Sequence, residues 1–211
     1  MLKLMYITNS PEVASIADGA GVDRIFIDLE QYGKEKRQKN WDSVKSKHSI
    51  SDIPKVKSAV KNAQIFVRTD PIFDGFSDEL EGVLACEPDV VMLPYFKTVR
   101  EVETFIKAVD GRATTSLLLE TGEAAEQIDD IISVGGIDEI HIGLNDLSHS
   151  YGKKFLFEEL ADGTVDRLVE RFKADGIKNY GFGGIASLGF VCDQLLDFQH
   201  FAENLRQNSG I

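Results

Sequence analysis

The strongest constraint on this chain is a regular alternation of short apolar runs with longer amphipathic stretches. The apolar runs are Leu2–Ile7, Arg24–Glu30, Gln64–Arg68, Asp89–Pro94, Thr115–Glu120, Glu139–Gly143 and, more weakly, Asn179–Ile185. Between them lie helix-like stretches at Pro11–Gly19, Ile53–Asn62, Ser77–Cys86, Val99–Val109, Glu123–Val134 and Thr164–Ala174. The runs have strand length and the stretches have helix length. Their alternation predicts βα units around a parallel sheet.

Local punctuation agrees. Asn9-Ser10-Pro11 places a cap before a proline at a helix start. Thr98-Val99-Arg100-Glu101 has capping-box spacing. The segments Gly19-Ala20-Gly21-Val22-Asp23 and Gly135-Gly136-Ile137-Asp138-Glu139 repeat one pattern: a glycine helix end, then Val/Ile-Asp, then a new strand. No G-x-G-x-x-G follows any strand, so the pattern favours a (β/α)8 TIM-type barrel over a Rossmann sheet. The barrel is expected to be one domain over residues 1–211, with its last β/α unit shortened or incomplete. After Gly181-Phe182-Gly183-Gly184-Ile185 the sole strand candidate is Gly189-Phe190-Val191-Cys192, and Asp193–Asn208 reads as one helix.

Composition narrows the partners. The net charge of −12 argues against nucleic acid, whose binders need a basic surface. No apolar run approaches the ~20 residues of a membrane span. The two cysteines, Cys86 and Cys192, form no motif, so a reducing compartment is expected and the cytoplasm is the default. An unfinished barrel edge argues for a homo-oligomer, because open strands and bare apolar faces need partners.

In a parallel barrel, charges at the C-terminal ends of strands face the site. Four strands end this way, at Asp28-Leu29-Glu30, Arg68, Glu120 and Asp146. Glu120 and Asp146 lie on consecutive strands, and two close carboxylates repel unless a cation or proton separates them. Oxygen donors suit a hard divalent ion, Mg²⁺ first, with Mn²⁺ or Co²⁺ as alternatives. Such an ion can chelate a 2-oxo acid and stabilise its enolate. Arg68 suits a carboxylate or an enolate through bidentate contacts. Other readings stay open: Asp146 as a helix cap, and Arg68 in a surface turn.

His48 is a candidate proton carrier and His149 a candidate ligand-orienting group. His141, inside a strand, reads as a packed core residue, and His200 as surface. Residues 31–51 form a long loop carrying Lys34, Lys36, Arg37, Lys39, Lys45 and Lys47. That loop follows the second strand and, with Arg37, is a candidate for meeting an anion. Gly183-Gly184 offers backbone amides to an anion or simply makes a tight turn.

The segment Gly143-Leu144-Asn145-Asp146-Leu147-Ser148, continuing to Gly152, resembles the G-x-x-D-L-S-x-x-x-G motif of the HpcH/HpaI aldolase and citrate lyase β-subunit family. Leu119-Glu120-Thr121 looks like the first metal-ligand motif of that family, and Val67-Arg68 like its substrate arginine. Asp28-Leu29-Glu30 and the basic loop behind it resemble the citrate lyase and malyl-CoA lyase side. The resemblance runs from about residue 1 to 189. It implies a metal-dependent lyase or aldolase with Glu120 and Asp146 as metal ligands and Arg68 on the substrate. It places the Gly143–Asp146 backbone, with Asn145, against the carboxylate, and Glu30 near the metal waters. Aldolase members carry a catalytic histidine where this chain has Gln31, so His48 or a metal-bound water would serve as base.

The leading expectation is a class II, divalent-metal-dependent aldolase or lyase acting on a small 2-oxo acid. Two alternatives are phosphoenolpyruvate- or acyl-CoA-directed lyase or hydrolase chemistry at the same site, and a catalytically impaired binding subunit.

Overall fold

Strand alternation sorts the side chains of this chain into two layers. The computed structural model describes residues 3–32, 47–153 and 157–183. Its strands are β1 (Met5–Ile7), β2 (Arg24–Asp28), β3 (Gln64–Arg68), β4 (Val90–Leu93), β5 (Thr114–Leu119), β6 (Glu139–Gly143) and β7 (Asn179–Gly183). They pair in parallel and in chain order, β1 to β7. Ile25, Ile27, Ile65, Val67, Val91, Leu93, Leu117, Leu119, Ile140 and Ile142 point outward and form the main core with the helices. Phe26, Phe66, Val90, Met92 and Leu118 point inward and form a second cluster. Period-2 alternation therefore continues even where both faces are buried.

The described helices are α1 (Pro11–Gly19), α2 (Asp52–Ala59), α3 (Phe76–Leu84), α4 (Val99–Val109), α5 (Gly122–Glu126), α6 (Ile128–Ser133), α7 (Leu144–Ser150), α8 (Glu158–Ala161) and α9 (Thr164–Ala174). Ser10 caps α1 with its side chain, and Pro11 follows at the helix start. Thr98 and Glu101 form both arms of the capping box of α4. The repeated Val/Ile-Asp element also has a structural role. Asp23 and Asp138 each accept a backbone N–H from the preceding strand region, at Leu4 (2.8 Å) and Thr115 (2.8 Å). Asp89 does the same for Ile65 at 2.7 Å. These carboxylates satisfy strand-start amides that have no ladder partner.

The sheet is strongly curled. Arg24 on β2 grips Glu139 on β6 with two bonds of 2.6 and 2.7 Å. Four strand spacings of ~4.8 Å would hold these strands roughly 19 Å apart in a flat sheet. Side-chain contact between them requires a curved wall with Arg24, Gln64 and Glu139 on its concave face. Among the described residues the sheet is a seven-stranded half-barrel with β1 and β7 at its edges. The candidate eighth strand Gly189–Cys192, the helix candidate Asp193–Asn208, Gly184 and Arg37 lie outside the described residues.

Two local expectations are corrected. Glu123–Val134 is two short helices, α5 and α6, broken at Gln127 (φ −106°, ψ 19°). The Gln127 amide donates to the carbonyls of Lys97 and Glu123, and so holds the break. A turn beginning at Leu147, with Asp146 as its cap, does not form. Helix α7 begins at Leu144 with Gly143 as its N-cap, which places Asp146 in the first turn. No helix among the described residues is long and apolar enough to cross a membrane.

Candidate active site

The strand register brings β2 and β3 to the rim together. Arg24 pairs with Gln64, Phe26 with Phe66 and Asp28 with Arg68, all on the concave face. Arg68 donates from Nε to Asp28 Oδ1 at 2.9 Å and from Nη2 to Asp28 Oδ2 at 2.8 Å. Its Nη1 lies 3.3 Å from Glu30 Oε2. Its guanidinium carbon stands 5.5 Å from the centre of the Phe26 ring. The side chain is 15% exposed, so this is not a surface turn. Burial alone would lower the Arg68 pKa, but Glu30, Asp28 and Glu120 hold it above its ordinary value. Of the five guanidinium N–H donors, the two bonds to Asp28 and the ion pair to Glu30 commit three. The remaining two suit an anionic ligand.

The backbone N–H of Asp28 donates to Nδ1 of His48 at 2.9 Å. His48 is therefore docked against the β2 backbone at Asp28, close to the Asp28–Arg68 pair. With Nδ1 accepting, the neutral ring carries its proton on Nε2.

Glu120 follows β5 directly and is buried. Its Oε1 accepts the backbone N–H of Tyr95 at 3.0 Å. Tyr95 has φ 48°, a left-handed conformation that costs energy in a non-glycine residue. The carboxylate then lies across Gly143. A Cβ on Gly143 would stand 2.8 Å from Glu120 Oε2 and 2.9 Å from Glu120 Cβ. Only glycine fits here without displacing Glu120, and the reason is steric, since the Gly143 backbone (φ −88°, ψ 90°) is extended. Asn145 and Asp146, both half-buried, follow in the first turn of α7.

His141 is on β6 and faces the same lumen, where Arg68 acts on its charge. Burial first, and then the Arg68 charge, lower its pKa to about 4 against the opposing pull of Glu139. The imidazole is neutral at physiological pH.

The structure thus brings together Arg68, Glu30 and Glu120, and lays Glu120 on Gly143. It docks His48 against β2. Asn145 and Asp146 enter through the helix that starts at Gly143. Sequence reasoning placed Asp28 among the rim charges without its clamp on Arg68, and gave no role to Tyr95 or the lumen-facing side of His141. Asp28 was legible, because it shares the strand parity of Phe26 and the register of Arg68. Tyr95 left no signal, since it contributes a backbone amide.

The donor chemistry fits a divalent cation. Asp28, Glu30 and Glu120 are buried carboxylates beside one guanidinium, with Asp146 half-buried at the adjoining helix start. This excess of negative charge in a sheltered rim would be offset by a hard cation with oxygen ligands. Among the described residues no group of three or more His, Cys, Asp or Glu side chains is placed to hold a metal ion. A two-carboxylate site that leaves the other positions to water and ligand is the usual pattern for Mg²⁺.

The model of the HpcH/HpaI aldolase/citrate lyase family matches residues 3–182. No curated protein matches the chain in sequence. Among solved structures, the chain is similar to an HpcH/HpaI aldolase/citrate lyase family protein from Burkholderia cenocepacia J2315. That match has a TM-score of 0.69 and 12% identity over 97% of this chain and 93% of the other. It is also similar to an HpcH/HpaI aldolase from Desulfitobacterium hafniense DCB-2, with a TM-score of 0.67 and 14% identity over 99% and 93% of the two chains. A third is the citrate lyase β subunit from M. tuberculosis complexed with oxaloacetate and magnesium. Its TM-score is 0.57, with 19% identity over 98% and 85% of the chains. At such identities the structural likeness speaks for the fold, and the family model, which spans most of the chain, speaks for membership. The chain belongs to the HpcH/HpaI aldolase/citrate lyase family.

Proposed function

We propose that this chain is a divalent-metal-dependent lyase that makes or breaks a carbon–carbon bond in a small 2-oxo acid. The observation that carries the reading is the rim itself: Arg68, locked by Asp28 and Glu30, under the influence of Glu120, whose carboxylate crosses Gly143. The M. tuberculosis citrate lyase β subunit, solved with oxaloacetate and magnesium, supports the same ligand class.

In this reading Glu120 and Asp146 hold Mg²⁺, with Mn²⁺ or Co²⁺ able to replace it. A bound cation supplies Lewis acidity toward the oxo acid. The uncommitted N–H groups of Arg68 hold the ligand's charge. Because Asp28 and Glu30 already fix the guanidinium, little side-chain entropy is lost on binding. The Gly143 and Asn145 backbone borders the carboxylate, and Glu30 stands near the metal waters. With Nδ1 accepting the Asp28 N–H, a neutral His48 ring would donate from Nε2. That suits proton delivery to a developing carbanion better than abstraction. The phosphoenolpyruvate or acyl-CoA alternative rests on Arg37 and its neighbouring lysines, which lie outside the described residues. Self-association is the companion expectation, because Leu4, Tyr6 and Ile7 on or beside β1 and Tyr180 and Phe182 on β7 are exposed at the sheet edges.

Calorimetry with oxalate tests this reading. Oxalate should bind only with Mg²⁺ present, and E120Q should weaken that binding at least about tenfold. Equal oxalate binding with and without Mg²⁺ would refute the proposal.

A further inference from the structure

The lumen carries one polar ring that the proposed chemistry does not use. His141 occupies the middle of β6, where its Cα pairs with Leu118 on one side and Gly181 on the other. Its side chain leans toward the C-terminal rim. A Cβ on Gly181 would stand 3.7 Å from Nδ1, whereas a Cβ on Gly183 would stand 2.7 Å from Nε2. The ring has therefore climbed from its own rung to the next. It can do so because β7 presents glycine at positions 181 and 183.

Gly183 pairs with Gly143, and Gly143 is where the Glu120 carboxylate lies. Neighbouring strands are ~4.8 Å apart. So His141 Nε2 and Glu120 Oε2 cover adjacent glycines on one rung, on the same concave face. Among the described residues neither ring nitrogen of His141 makes a hydrogen bond. A packed core histidine ordinarily has a hydrogen-bond partner, whereas this ring is half-buried and its nitrogens are not among the fully buried polar atoms.

We propose that His141 is a ligand-contacting residue, whose imidazole hydrogen-bonds an oxygen of the bound 2-oxo acid from the inner wall of the sheet. This rests on the 2-oxo acid reading of the site and adds the group that reads the ligand's inner side. A neutral imidazole offers one N–H donor and one acceptor without adding charge beside Arg68. Gly181 and Gly183 are then specificity positions, since a side chain at 183 would displace the ring.

The test uses the full chain with Mg²⁺ and oxalate as the probe. Histidine ring ¹⁵N resonances are recorded, with the His141 signals identified by their loss in H141Q. They should shift on oxalate addition in the unsubstituted protein. By calorimetry H141F should weaken oxalate binding about tenfold or more. H141Q, which keeps a donor, should stay within about threefold. Mg²⁺ affinity should be unchanged in both. Unmoved His141 signals at oxalate saturation, or H141F binding oxalate as tightly as the parent, would overturn this inference alone. Failure of the unsubstituted protein to bind oxalate with Mg²⁺ would overturn both it and the functional reading.

Discussion

Gly143→Ala isolates the contact on which the site geometry depends. The new methyl would meet Glu120 Oε2 at 2.8 Å, Glu120 Cβ at 2.9 Å and Leu118 Cδ1 at 3.2 Å. Carbon contacts are comfortable at about 3.5 Å or more, so Glu120 must retreat by roughly 0.6 Å. Rotating the carboxylate relieves the first clash but leaves the second, because Glu120 Cβ is fixed to the backbone at the end of β5. The overpacking should cost about 1–3 kcal/mol. Alanine restricts the unfolded chain more than glycine and returns about 0.4–1 kcal/mol. The net loss is then about 0.5–2.5 kcal/mol, or roughly 1–10 °C in Tm for a domain of this size. If Glu120 holds the cation as proposed, the larger effect falls on metal affinity, because displacing a ligand or its support weakens it by about 10–100-fold. Urea denaturation gives the stability change, and Mn²⁺ titration followed by electron paramagnetic resonance gives the affinity. An alanine variant with parental Mn²⁺ affinity and undiminished stability would refute the placement of Glu120 over Gly143.

Two further predictions concern other buried charges. The Arg24–Glu139 clamp is enclosed in the lumen, so E139Q should leave an uncompensated guanidinium and cost about 3–5 kcal/mol in urea denaturation. The double variant R24M/E139L should recover most of that, and a cost below about 1 kcal/mol for E139Q would contradict the strut. Glu79 accepts the Asp70 N–H through Oε1 at 3.0 Å, while its buried Oε2 has no partner. Burial, with the Asp70 charge adding to it and the Asp70 N–H opposing it, pushes its pKa up from 4.5 to about 7. The folded state therefore holds an extra proton between pH 4.5 and about 7, and this group's contribution to stability falls as pH rises through that window. E79Q mimics the protonated form. It should exceed the parent by about 1–3 kcal/mol at pH 8 and match it at pH 4.5. An equal difference at both pH values would contradict the assignment.

Much of the fold was legible because its causes are local. Gln64–Arg68 and Glu139–Gly143 have the strand bounds their apolar runs predict, and Val99–Val109 begins at its capping box. The rim was legible because a charge closing an apolar strand has few stable places except the C-terminal face, as Arg68 and Glu120 illustrate. Other features depend on contacts distant in sequence. The Asp28 clamp on Arg68 spans 40 residues. The break at Gln127 depends on a carbonyl 30 residues away. His141 reads as core from a strand pattern, because the pattern cannot show that β7 presents glycine opposite it. Tyr95 acts through its backbone, which side-chain identity does not report.

The central claim is that Glu120 and Asp146 hold a divalent cation through which the chain acts on a 2-oxo acid. The most direct measurement is pyruvate release from oxaloacetate by the full chain, with Mg²⁺ and with excess chelator, for the parent, E120Q and D146N. The account predicts turnover that requires Mg²⁺ and falls about 10–100-fold or more in each variant, with folding retained by circular dichroism. Turnover that persists in chelator, or survives both substitutions, would contradict it.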